Sequence, residues 1–285
     1  MARWGSKALA VAPALVVSTV VTSIVGSVLP APAGLALFVG GLLVAALLLF
    51  GRLESAAARL LLVSRPARAQ ELDDLAPALT LLCRAGLGPP VIDLRVRVGE
   101  AAVAAGGMGR RTVVISRGLL EAVGDGALAQ EQAAAVIGHA AALTRAGWVR
   151  SDAVIAFWSL PWQMLHAVAL TVTRVGRRLP LTAVVWRLRG VVIGIAVVQS
   201  IQQGQPALAA VVGAVGLVSY AMPVGQRRWQ QQLVAAGDRA VTEAGLAGPL
   251  AAFLRRCPAS PAVRARVRAL DVAPPPARRI GLVGR

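Results

Sequence analysis

Few side chains in this sequence can hold a metal or move a proton. Two histidines, His139 and His166, and two cysteines, Cys83 and Cys257, stand among 285 residues. The cysteines form no CxxC and no close pair, so no disulfide framework is indicated. His139 falls in a stretch that reads as helix, while His166 sits inside an apolar run on another element. Glu131 lies two turns before His139 on a similar face. Helix rise puts it roughly 12 Å away along the axis, too far to serve as base at His139. A single neutral imidazole holds zinc too weakly for a defined site, since such sites use three or four protein ligands. His139 therefore reads as a buried histidine.

The elements that must position these residues are mostly apolar. Hydrophobic residues make up 56 % of the chain and charged residues only 15 %, against about 25 % charged in a soluble domain. Ala8 to Leu29 carries no charge and would extend roughly 33 Å as a helix, enough to cross a hydrocarbon core. A second run, Gly34 to Phe50, follows the turn Pro30-Ala31-Pro32-Ala33. Arg3 and Lys7 precede the pair, and Arg52, Arg59, Arg65 and Arg68 follow it. Positive charge at both ends predicts a hairpin with both termini in the cytoplasm. Later, Ala153 to Thr173 and Pro206 to Met222 are long enough to span, and Val191 to Ile201 is too short alone. Arg174, Arg177, Arg178, Arg187 and Arg189 lie between candidate spans and oppose the charge bias, so some runs read as re-entrant. Gln199 to Gln205 offers polar groups at membrane depth, a pattern that lines cavities. Trp148, Trp158, Trp162 and Trp186 read as interfacial anchors.

The net charge is +17. The arginines show no aromatic interleaving and no nucleic-acid-binding motif, which argues against a nucleic-acid partner. A basic face against anionic lipid fits the positive-inside bias. A GC-rich coding sequence alone would also favour Arg over Lys.

Between the apolar runs, Glu54 to Arg84 reads as helix. Val91 to Val98 alternates with period two and Thr112 to Ser116 is β-branched, so the two read as a strand pair around a turn at Ala101 to Gly109. Arg117 to Val123 reads as a short helix ended by Gly124-Asp125-Gly126. A longer helix follows from about Ala127 to Arg145, with Asp125 as N-cap and Gly147 as stop. Arg227 to Arg256 reads as two helices around a break at Gly245 to Pro249. The tail is Pro- and Arg-rich and reads as partly disordered beyond Asp271.

The order of these pieces resembles the HtpX-like membrane zinc metallopeptidases, relatives of the CAAX prenyl proteases. The strand pair leads into Ser116-Arg117-Gly118-Leu119-Leu120, similar to the family's strand-end turn. Ala135-Val136-Ile137-Gly138-His139 resembles the start of its HExxH helix. Asp238-Arg239-Ala240 resembles its later ExxxD helix, and Ser260 to Val267 its "HPpxxeRi" ending. The resemblance implies a mainly α membrane protein: a transmembrane hairpin (residues 1–51), a metallopeptidase-like α+β domain with a small β-hairpin in two halves (52–150 and 226–270), membrane or re-entrant segments between them (151–225), and a basic Pro/Arg tail (271–285).

The same resemblance implies zinc held by two histidines and a distant carboxylate, with a glutamate as base. In this chain the first ligand position is His139. The base position is Ala140, the second ligand Leu143 and the third Val234. The family's edge-strand Asn and Phe are Ala101 and Val103. The catalytic set is therefore degenerate, and only His139 and Asp238 remain as a vestigial site. With its ligand partners apolar, Asp238 is expected to pair with Arg239 or Arg145. The leading expectation is a pseudo-peptidase without zinc or other cofactor that acts by binding other membrane proteins or peptides, multi-pass in the cytoplasmic membrane with its peptidase-like domain facing the cytoplasm. One alternative is an active zinc metalloendopeptidase with a remodelled site using His139. Another is a structural or transport-associated membrane protein unrelated to proteases.

Overall fold

The computed structural model describes residues 2–176 and 181–272. Twelve helices and one four-stranded sheet make up this part of the chain. Among the described residues, three helices are long and apolar enough to cross a membrane: α1 (Ala2–Val28), α2 (Ala31–Leu49) and α10 (Pro206–Glu243). This is a mainly α membrane protein carrying a small mixed sheet. The chain divides into two interleaved compact units, Met1–Gly41 with Trp158–Gln232, and Leu42–Phe157 with Leu233–Arg285.

The first unit is helical. α1 and α2 meet at glycines: a Cβ on Gly34 would lie 2.3 Å from the Gly26 carbonyl oxygen, so only glycine allows this approach. The run Ala153 to Thr173 is not one span. It divides into α7 (Asp152–Trp158) and α8 (Leu160–Gly176). Pro161 lacks the N–H that a continuous helix would need there and opens α8 instead. α8 packs on α1 through polar groups. The Trp158 indole donates to Thr19 Oγ1 (2.9 Å), and the Trp162 N–H donates to Ser18 Oγ (3.2 Å). Helix α9 (Leu181–Gln202) returns against the apolar start of α10, with Gly213 beside Val197 and Gly216 beside Ile193. Among the described residues, the apolar part of α9 is Gly190–Gln202. Arg177, Arg178 and the tail from residue 273 lie outside the described residues, as do the side chains of Arg174, Trp186, Arg187 and Arg189.

The second unit holds the sheet, in the order β1-β2-β4-β3. Glu54 to Arg84 is not a continuous helix. It breaks into α3 (Glu54–Leu61), strand β1 (Ser64–Pro66) and α4 (Ala69–Arg84). Pro66 cannot donate a helical hydrogen bond and pushes Arg65 into extended backbone. α4 restarts with the Arg68 N–H donating to Glu71 (2.8 Å). Strands β2 (Asp93–Arg97) and β4 (Thr112–Ser116) are neighbours, but they run parallel and form no hairpin. The hairpin partner of β4 is β3 (Ala105–Met108), inside the segment expected to be a turn. Its sequence, Ala-Gly-Gly-Met, carries no β-branched residue, so propensity gave no sign of it.

Ser116 caps α5 (Arg117–Gly124), its hydroxyl accepting from the Leu119 N–H. Asp125 does not cap the next helix. Gly126 takes φ +68° and Leu128 N–H donates to Ala122, prolonging the end of α5, and α6 (Gln130–Arg145) starts only afterwards. Leu75, Leu82, Val96, Val113, Ile115, Leu119, Ile137 and Val241 are fully buried in the main core, which α11 (Ala247–Arg256) and α12 (Pro261–Val272) also cover. A smaller cluster on the other side of the sheet gathers Leu48, Ala57, Val114 and Ala153.

Glu54 is 1 % exposed and ties the β3–β4 turn to the end of α2. Its carboxylate accepts from the Arg110 N–H (2.7 Å) and the Arg111 N–H (3.3 Å), while Arg110 Nη2 donates to the Leu49 carbonyl (3.2 Å). Glu54→Gln weakens this hold on two turn amides. The expected loss is about 1–2 kcal/mol of unfolding free energy, read by denaturant titration of the purified protein.

A second ion pair sets an acid limit. Arg65 grips Glu71 with both terminal guanidinium nitrogens, and this holds the Glu71 carboxyl down at about 2 against the opposing effect of burial. A depressed carboxylate contributes stability above its unfolded value, near 4.3, that is lost as pH falls towards the folded one. Glu71→Gln should therefore lower the midpoint of thermal unfolding at pH 7, with the difference closing between about pH 4 and pH 2.

Candidate functional site

The chemistry-bearing residues meet in the second unit, where α6, the end of α10 and α12 converge. The membrane-length apolar part of α10 ends before Arg227 and Arg228. Asp238 lies beyond it by roughly 15 Å of helix. His139 on α6 and Asp238 on α10 face each other, with Nδ1 3.2 Å from Oδ1. That is ion-pair distance, though the contact falls short of good hydrogen-bond geometry. Gly237 makes the approach of the two helices possible: a Cβ there would lie 2.3 Å from His139 Cε1.

The partner of Asp238 is Arg266 on α12, not Arg239 or Arg145. Nε donates to Oδ2 at 2.9 Å and Nη2 to Oδ1 at 2.7 Å, a two-pronged grip. Arg239 follows Asp238 on the same helix and faces outward, exposed. Arg145 is drawn to the Gly86 carbonyl. Burial pushes the Asp238 carboxyl up, but His139 and Arg266 outweigh it and hold it below the usual carboxylate range. Arg266 lies in Ser260 to Val267, a segment whose own spacing gives no sign of this pair.

The structure brings His139, Asp238 and Arg266 together; Ala140 and Leu143 lie on α6 with His139, and Val234 lies on α10 with Asp238. Leu143 stands one turn after His139, and Val234 one turn before Asp238. Ala140 is 1 % exposed and Leu143 8 %. Zinc, which the resemblance implies, needs three donors, and these positions offer one imidazole beside apolar side chains. No group of three His, Cys, Asp or Glu side chains close enough to share a metal occurs among the described residues. The residues present do not fit the ion. His166, in the other unit, is exposed and stacks on Trp162, ring centres 5.9 Å apart.

The edge strand falls slightly later than Ala101 to Ala105. Residues 101–104 loop over the start of α5, where Gly118 packs directly on the Ala101 carbonyl. The edge is β3, and its Gly107 lies over α6: a Cβ there would be 2.2 Å from Thr144 Oγ1 and 3.0 Å from the Ala140 carbonyl oxygen. A cleft of about 250 Å³ follows β3, with Arg97 and Glu100 at its side. Those two residues pair with each other at 2.9 Å.

Comparison with family models, with curated proteins and with solved structures finds no match for this chain.

Proposed function

We propose that this chain is a membrane-bound pseudo-peptidase, HtpX-like in plan, that binds polypeptide without cleaving it. The observation that carries this reading is the pairing of a retained His139–Asp238–Arg266 cluster with Ala140, Leu143 and Val234 at the base and ligand positions. An oriented histidine with no second ligand and no base cannot activate water. The edge strand β3, beside the Ala140 carbonyl, supports polypeptide as the bound partner, because an unpaired strand edge takes up extended chain through main-chain hydrogen bonds. Zinc analysis of the purified full-length protein tests the reading. Little or no bound zinc is expected; stoichiometric zinc that vanishes in His139→Ala overturns it.

The proposal includes a topology. A peptidase-like unit assembled from both sides of residues 158–232 lies on one face of the bilayer, which we assign to the cytoplasm, so an even number of crossings separates Arg150 from Arg228: α10 is one, and the proposal requires the α8–α9 segment to supply the other. Single cysteines introduced as Arg150→Cys, Pro180→Cys and Arg228→Cys in a Cys83→Ser, Cys257→Ser background report sidedness to an impermeant maleimide. The sites at 150 and 228 should label from the same side. Opposite sidedness sinks the pseudo-peptidase plan.

A further inference from the structure

A cavity of about 540 Å³ lies away from the His139 cluster, between α11 and α12. That is within the range of about 300–1,000 Å³ for small-ligand sites. Its floor is apolar: Leu254 from α11, Val263 and Val267 from α12, and Cys257 from the connecting turn. Leu254 is buried, and Val263 and Val267 are half-buried against the core. Its rim is cationic. Arg264 and Arg268 stand four residues apart, on one side of α12. Both are exposed, and neither has a carboxylate partner among the described residues. Arg255, on the facing helix, is already neutralised by Asp271 at 2.6 Å.

An apolar floor under two unneutralised guanidinium groups suits a ligand with one acyl chain and one anionic head. A zwitterionic head would gain little from the rim, and a free anion would leave the floor uncovered. In a chain of net charge +17 with helices long enough to span a bilayer, an abundant molecule of that kind is an anionic phospholipid. We infer that the α11–α12 cavity is a binding site for an anionic phospholipid drawn from the bilayer, its phosphate held by Arg264 and Arg268 and an acyl chain covering Cys257.

The cavity contains its own reporter. Cys257 lines it, and Cys83, exposed on α4, serves as an internal reference. The full-length protein is placed in nanodiscs of phosphatidylcholine alone or mixed with phosphatidylglycerol, and the maleimide labelling rate of each cysteine is followed. Labelling of Cys257 should slow in the mixture, with Cys83 unchanged. Arg264→Gln with Arg268→Gln should abolish the slowing and weaken phosphatidylglycerol binding in detergent about thirtyfold. Arg264→Lys with Arg268→Lys, which keeps the charge, should retain the protection. Equal Cys257 rates in the two nanodiscs, or protection that persists in the double Gln variant, overturn the inference. So does equal protection by inorganic phosphate or by an oligonucleotide in phosphatidylcholine alone.

Discussion

Leu143→His combined with Val234→Glu is expected to give the protein stoichiometric zinc where the parent chain binds little or none. The expectation rests on helix geometry. Position 143 is one turn beyond His139 on α6, so both side chains point from one face. Position 234 is one turn before Asp238 on α10, and Gly237 in that turn lies against the His139 ring. Helix periodicity puts position 234 on the same face of α10 as Gly237 and Asp238, the face that meets His139. Three ligands suffice for a zinc that keeps an open position. Asp238 stands where it can orient His139, and adding Asp238→Asn to the double variant should lower zinc affinity about 10–100-fold. Ala140 is left in place, so metal binding should return without peptide hydrolysis, separating the ligand set from the base. Zinc content after dialysis and titration calorimetry measure both effects. A double variant that folds yet binds no zinc would show that α6 and α10 do not frame a metal position.

What could be read from the sequence follows the strength of local signals. The α1–α2 hairpin was legible because long uncharged runs bounded by arginine have few other solutions. The helix carrying His139 was legible from spacing and from Gly147 at its end; the one carrying Asp238 was legible only at its end, Gly245, because the apolar Pro206 to Met222 run and the block expected to start at Arg227 form one unbroken helix. β3 was not, because Ala-Gly-Gly-Met becomes a strand only through pairing with β4 and packing on α6. β1 was hidden by leucine spacing on both sides of Pro66, where the proline's missing N–H outweighed a periodicity that otherwise suits helix. The split of Ala153 to Thr173 has the same cause at Pro161. The Asp238 partner was missed for a different reason. Arg239 and Arg145 are near in sequence or on the facing helix, whereas Arg266 becomes a neighbour only when α12 folds back onto α10. A long-range pair of this kind leaves no periodic trace.

Asp238→Ala should destabilise the second unit by about 3 kcal/mol, the low end of the range for removing one partner of a buried ion pair. The low end applies because the Arg266 side chain keeps 27 % of its surface exposed, while Asp238 keeps 15 %. The loss comes chiefly from what is left behind: a guanidinium with no acceptor for two donors, and an imidazole against Gly237 with no anion near Nδ1. Arg266→Met should cost less, because Asp238 still has His139 at 3.2 Å. The double variant should cost less than the sum of the two single changes, since each has already lost the shared pair. Unfolding of the detergent-solubilised protein by denaturant, followed by tryptophan fluorescence, gives all three values. The sign of the pH dependence is fixed by the depressed Asp238 carboxyl. Its contribution is present above the ordinary Asp value of about 3.9 and fades as pH falls through the lower folded value. The gap between parent and Asp238→Ala should therefore be widest near neutral pH and narrow only in acid. A cost below about 1 kcal/mol would place the pair among solvated surface contacts. It would leave His139 without a partner worth conserving in the fold, and with it the main physical reason to read the cluster as the remnant of a site.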